Sequence, residues 1–111
     1  MNELLPLERL LAHAHYRPAR GWLFIASDPR PATLDSPCAV IDLDEEEDSD
    51  TPPFAVEHGL EMILDMGTVR SIANNVRQQL VGRKVEPAVL LRALGYYFRN
   101  DAFIDLNAVR D

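Results

Sequence analysis

The chain has a single cysteine, Cys38, so no disulfide can form within it and the fold must rest on packing alone. A lone thiol also fits a reducing compartment. No apolar run approaches the ~20 residues that a membrane-spanning helix needs. The opening segment, Met1-Asn2-Glu3-Leu4-Leu5-Pro6, lacks the basic start and long apolar stretch of a secretory signal. We therefore expect a soluble, cytoplasmic protein with no membrane partner. The five glycines, Gly21, Gly59, Gly67, Gly82 and Gly95, are too far apart to build a phosphate-cradling loop. No spacing of serine, histidine and acid, or of cysteine and histidine, suggests an activated nucleophile. Cys38 sits inside an apolar run, where a thiol is inert. His13 and His15 are two apart and share no helical face, which makes them a poor metal pair. The sequence assigns no catalytic residue, metal or cofactor, and we expect a protein that is not an enzyme.

Lysine is nearly absent too: ten of the eleven bases are arginine, and only Lys84 is lysine. The acids are more telling. Eighteen of them give a net charge of −7, and seven are packed into Asp42-Leu43-Asp44-Glu45-Glu46-Glu47-Asp48-Ser49-Asp50. Without those seven, eleven acids face eleven bases. The whole net charge thus resides in one segment, and the molecule has one strongly negative end. Such a protein repels nucleic acid and anionic membrane and attracts basic surfaces. Arg70 and Arg77 lie two turns apart on one helix flank, and with Arg83 and Lys84 they make a modest basic patch. The balanced charge outside the acidic segment argues against nucleic-acid binding.

At 111 residues the chain is expected to form one domain, large enough to bury a core without metal or disulfides. Leu7, Leu10, Leu11 and Ala14 predict an amphipathic helix from Pro6 to about Tyr16. Trp22–Ala26 is a continuous apolar run bounded by turn residues, which predicts a strand buried on both faces. Residues 27–37, with three prolines, read as an irregular loop. Residues 38–43 read as a second strand, antiparallel to the first. The acidic loop covers about 42–53. Residues 54–58 predict one helical turn with Thr51 as its cap, closed by Gly59. Residues 60–66 alternate, which predicts a strand with Leu60, Met62, Leu64 and Met66 on one face, although helix is a competing reading. Thr68 is the expected cap of a helix carrying Val69, Ile72, Ala73, Val76 and Leu80 on one stripe. A last helix runs from Glu86-Pro87 to about Arg99, with Tyr97 and Phe98 in its apolar face and Tyr96 exposed. Gly95 inside it suggests a close packing contact. Residues 103–106 form a short strand or a helical turn. The expected fold class is α+β: a three- or four-stranded, mostly antiparallel sheet packed with three main helices.

The acidic segment is open to three uses. An EF-hand loop needs glycine at its sixth position and glutamate at its twelfth. Counted from Asp42, those positions hold Glu47 and Pro53, so that template fails. A solvated, solubilising run is the plainest use. The third is a row of carboxylates complementing a basic protein surface, which raises association rate and specificity. The candidate partner-binding residues are Asp42, Asp44, Glu45, Glu46, Glu47, Asp48 and Asp50, with Glu57 and Glu61 as flanking contacts.

Small acidic α+β chains of this length resemble the immunity proteins of polymorphic, contact-dependent or type VI secreted bacterial toxins. The run Cys38-Ala39-Val40-Ile41-Asp42, the acidic tract and Pro53-Phe54-Ala55-Val56-Glu57-His58-Gly59-Leu60 also resemble an uncharacterised bacterial domain family, over about residues 5–106. The resemblance implies a binding role and supplies no catalytic residue. Its implied partner is a basic protein, such as a secreted nuclease toxin. The alternative is a small regulatory or adaptor domain whose acidic loop only solubilises it.

Overall fold

The computed structural model of the chain describes residues 4–14, 20–28, 31–42 and 53–106. The order is β1 (Leu5–Pro6), α1 (Leu7–Ala12), β2 (Trp22–Ala26), β3 (Pro37–Ile41), α2 (Pro53–His58), β4 (Leu60–Asp65), α3 (Met66–Gln79) and α4 (Pro87–Asn100). The four strands form one sheet in the order β1-β3-β2-β4, and every neighbouring pair is antiparallel. This is the expected α+β class.

The central strands explain the sheet. β2 lies between β3 and β4, so both of its edges are paired, and its middle residues are buried on both faces, which suits a continuous apolar run better than alternation. Leu23 and Ile25 point to the larger, inner core, together with Cys38 and residues of α1, α3 and α4. Phe24 points to the other side, where it joins Ala39, Ile41, Ala55 and Leu60 in a smaller, outer core under α2. The sheet is therefore a wall between two hydrophobic clusters of unequal size.

Several boundaries differ from the sequence reading. Pro6 does not open the first helix. It is extended, with φ −67° and ψ 142°, and pairs with Pro37 in the two-residue strand β1. Two residues carry too little pattern to reveal a strand. α1 ends at Ala12, and His15 and Tyr16 lie outside the described residues. Its first free N–H groups are satisfied by the proline-rich loop: Leu7 donates to the Ser36 carbonyl and Glu8 to the Leu34 carbonyl, both at 2.9 Å. Ser36 is itself buried, and its hydroxyl accepts the Thr33 N–H at 2.8 Å. The loop is thus the cap of α1. β3 stops at Ile41, and Leu43 lies outside the described residues.

β4 is a strand, but its alternation breaks. Phe24 pairs with Met62 and Leu23 with Leu64, which leaves Ile63 as an extra, bulged residue. Leu60 and Met62 consequently share the outer face, whereas both Ile63 and Leu64 pack on the inner core. Met66 is the first residue of α3, not the end of the strand, and Gly67 lies within the first turn. Asp65, not Thr68, caps that helix. Its carboxylate accepts the Thr68 N–H at 3.1 Å and the Thr68 hydroxyl at 2.6 Å.

The hydroxyl of Thr68 is the main cause that holds the Asp65 carboxyl below its ordinary value of 3.8; burial opposes it and backbone N–H groups assist. The folded state therefore favours the ionised form. The stabilisation is present in full above that ordinary value and is lost as pH falls from it through the lowered folded value. Asp65→Ala is expected to cost about 1 kcal/mol at neutral pH. Urea titrations from pH 7 to 2 should show the gap between wild type and variant closing below the ordinary carboxylate value.

The last segment is neither strand nor helix. The side-chain amide of Gln79 stands in for a backbone partner: Nε2 donates to the Ile104 carbonyl at 2.7 Å, and Oε1 accepts the Leu106 N–H at 2.9 Å. Nε2 also lies 2.7 Å from Asn75 Oδ1. This clamp seats the buried Ile104 in the inner core. Gln79→Ala is expected to cost about 1–2 kcal/mol. Hydrogen exchange at the Leu106 amide should accelerate well beyond the global change.

α4 also differs in phase. Leu90, Ala93 and Leu94 are buried, Tyr96 and Tyr97 are half-buried against the inner core, and Phe98 is 52% exposed. Phe98 is eight residues beyond Leu90, and that spacing carries it past the edge of the buried stripe.

Candidate partner-binding site

Two described anchors bracket the acidic tract. β3 carries the chain to Asp42 at one end of the sheet, and the chain returns at Pro53, the first residue of α2. Asp44, Glu45, Glu46, Glu47, Asp48 and Asp50 lie between these anchors, outside the described residues. At Asp42, Arg20 Nε donates to Oδ2 at 2.6 Å. Both side chains are largely exposed, so the pair contributes little to stability and mainly positions the start of the tract.

Trp22 is next to this anchor. It pairs with Ile41 on one side and with Asp65 on the other. It shares the outer face with Phe24, but Phe24 is buried whereas Trp22 is 37% exposed. Met62, opposite Phe24, is 44% exposed, and Val56 on α2 is 66% exposed. α2 covers only part of this face because it is six residues long. Three large apolar side chains thus remain in solvent on the side of the sheet where α2 lies, and Pro53, the far anchor, opens that helix. A tryptophan beside charged groups has the amphipathic character of an interface anchor.

Glu57 belongs to this side. It is exposed on α2, and its Oε2 lies 3.3 Å from His58 Nε2. The His58 ring packs on Phe54, with centroids 4.5 Å apart. Glu61 does not belong to it. Leu60 pairs with Ala26 in the outer cluster, so Glu61, paired with Ile25, is directed to the inner side. There it borders a cleft against α4. Glu57 and Glu61 therefore lie on opposite sides of the sheet, because His58, Gly59 and Leu60 join a helix end to a strand that turns alternate residues to opposite faces.

The sequence reading missed Trp22, Met62 and Val56 as surface residues. Trp22 heads an apolar run and reads as core, and Met62 was placed on the buried stripe of an unbroken strand. The bulge at Ile63 left no signal in the pattern.

Of the basic residues, Arg77, Arg83 and Lys84 meet around a hollow of about 270 Å³, and Arg70 does not border it. Lys84 lies 4.0 Å from Glu86. Among the described residues, no three of His, Cys, Asp and Glu are grouped so that they could hold a metal ion. None of the described helices is long and apolar enough to cross a membrane.

No curated protein and no solved structure matches this chain. Residues 4–106 match a domain of unknown function, DUF7716. That span agrees with the expected likeness to an uncharacterised domain family, and it brings no link to immunity proteins. By this match over nearly its whole length, the chain belongs to the DUF7716 family.

Proposed function

We propose that this chain is a non-enzymatic protein-binding module that docks a basic partner on the outer side of its sheet. One observation carries the reading. The segment holding the entire net charge of the molecule follows Ile41, the strand partner of Trp22, and ends at Pro53, where α2 begins on the side that leaves Trp22, Met62 and Val56 exposed. The carboxylates would raise the encounter rate with a cationic surface, and the apolar residues would supply the desolvated centre of the contact. Glu57 would contribute at the edge. The finer reading is an immunity protein that neutralises a secreted basic toxin, such as a nuclease. It rests on the resemblance in length, charge and α+β make-up.

The test is binding to the product of the adjacent upstream gene, measured by surface plasmon resonance across a range of salt. Replacing Glu45, Glu46, Glu47 and Asp48 with Ser should slow association and flatten its salt dependence. Trp22→Ala should weaken affinity by about tenfold or more, mainly through faster dissociation. Affinity that ignores both salt and the serine replacements would favour the adaptor reading, with the tract as a solubiliser. Binding untouched by Trp22→Ala would remove the docking face itself.

A further inference from the structure

On the inner side of the sheet, a cleft of about 430 Å³ separates α4 from the ends of β2 and β4. Its size lies within the range of small-ligand sites. Its walls are apolar: Ile25 and Ile63 from the sheet, and Leu91, Leu94 and Phe98 from α4. Glu61, Arg92 and Arg99 supply its charges.

Gly95 is the unexplained residue. A glycine inside a helix is destabilising relative to alanine, so its presence needs a reason. Backbone conformation is not that reason, because Gly95 is not among the positive-φ residues. Close packing is not the reason either. An added Cβ would meet only Arg99 Nη1, at 3.1 Å, which is the far end of a flexible side chain. What the glycine does is leave room on the helix wall for the Arg99 guanidinium where that wall borders the cleft.

We propose that the cleft binds a small amphipathic anion. The apolar chain would lie between Ile25, Ile63, Leu91 and Leu94, and the carboxylate would meet the Arg99 guanidinium beside Gly95.

Octanoate, 1-octanol and octylamine separate the contributions when titrated into the full chain by calorimetry, with amide NMR shifts to locate the site. Octanoate should bind and shift Gly95, Ile63 and Leu94. The other two should bind at least about fivefold more weakly. Gly95→Leu, a good helix former, should fill the cleft and abolish binding while the thermal unfolding transition is kept. Arg99→Gln should weaken octanoate about five- to tenfold and leave octanol unchanged. The proposal fails if octanoate does not bind, if octylamine binds as tightly, or if octanoate still binds Gly95→Leu. If Gly95→Leu does not fold, the Arg99→Gln comparison of octanoate with octanol decides alone. Trp22→Ala lies across the sheet and should leave octanoate affinity unchanged, so failure here is distinct from failure of the docking face.

Discussion

Gly21→Ala is expected to lower the free energy of unfolding by about 2–4 kcal/mol. Two costs combine. Gly21 has φ 89°, a conformation that L side chains rarely adopt. A Cβ there would also stand 3.0 Å from Val40 Cγ1 and 3.3 Å from the Ile41 carbonyl oxygen. The backbone cannot easily move aside, because the Gly21 carbonyl accepts the Met66 N–H at 2.9 Å and so ties the start of β2 to the start of α3. Urea unfolding should show a lower midpoint with an unchanged slope. Adding Val40→Ala should relieve only the side-chain clash. Strain at φ and the contact with the carbonyl remain, so the double variant should be better than the sum of the singles but still below Val40→Ala alone. Gly21 sits between Arg20 and Trp22, so its conformation also aims the anchor of the acidic tract.

Phe24→Ala should cost about 3–5 kcal/mol. Phe24 is 1% exposed, the largest side chain of an outer core whose other buried members are Ala39, Ile41, Ala55 and Leu60. With so few neighbours, the cavity cannot be refilled by a small shift of one of them. The loss should also be uneven. α2 is too short to persist without tertiary packing, and Ala55 is its only buried residue. Hydrogen exchange should therefore report early release of α2, whereas α3 and α4 lose only the global share of protection. A uniform loss would mean that the outer cluster is not a separate seat for α2. Because Val56 and Glu57 ride on that helix, the variant should also weaken binding at the outer face by more than the fall in folded population.

Much of this arrangement is legible in the chain. The stripes Leu7-Leu10-Leu11 and Val69-Ile72-Ala73-Val76 reveal their helices because a 3.6-residue period is a local property. The unbroken run Trp22–Ala26 implied a strand covered on both sides, and Leu23, Phe24 and Ile25 are buried on its two faces, whereas Trp22 at its start is exposed. Gly59, at φ 65°, closes α2 where its position after a short helical pattern implied. The candidate site was legible only as charge. Its apolar half was hidden, since Trp22 and Met62 look like core residues until the extent of α2 is known.

The failures share a cause. Asp65 displaced Thr68 as the cap of α3 because β4 runs into the helix without a loop, and the pattern does not show where pairing with β2 ends. Leu64 parted from Leu60 and Met62 and joined Ile63 on the inner side through one bulged residue, Ile63.

By itself, the sequence determined the α+β class, the kind of each long element, the lack of disulfides and the confinement of all net charge to one segment. These follow from composition and from periods read within a few residues. Only the tertiary structure decided that the sheet divides two cores, that Trp22, Met62 and Val56 stay in solvent, and that Glu61 and Gly95 border one cleft. Those facts depend on register and on which element covers which face. Both are set by partners tens of residues away in the chain, where local periodicity carries no information.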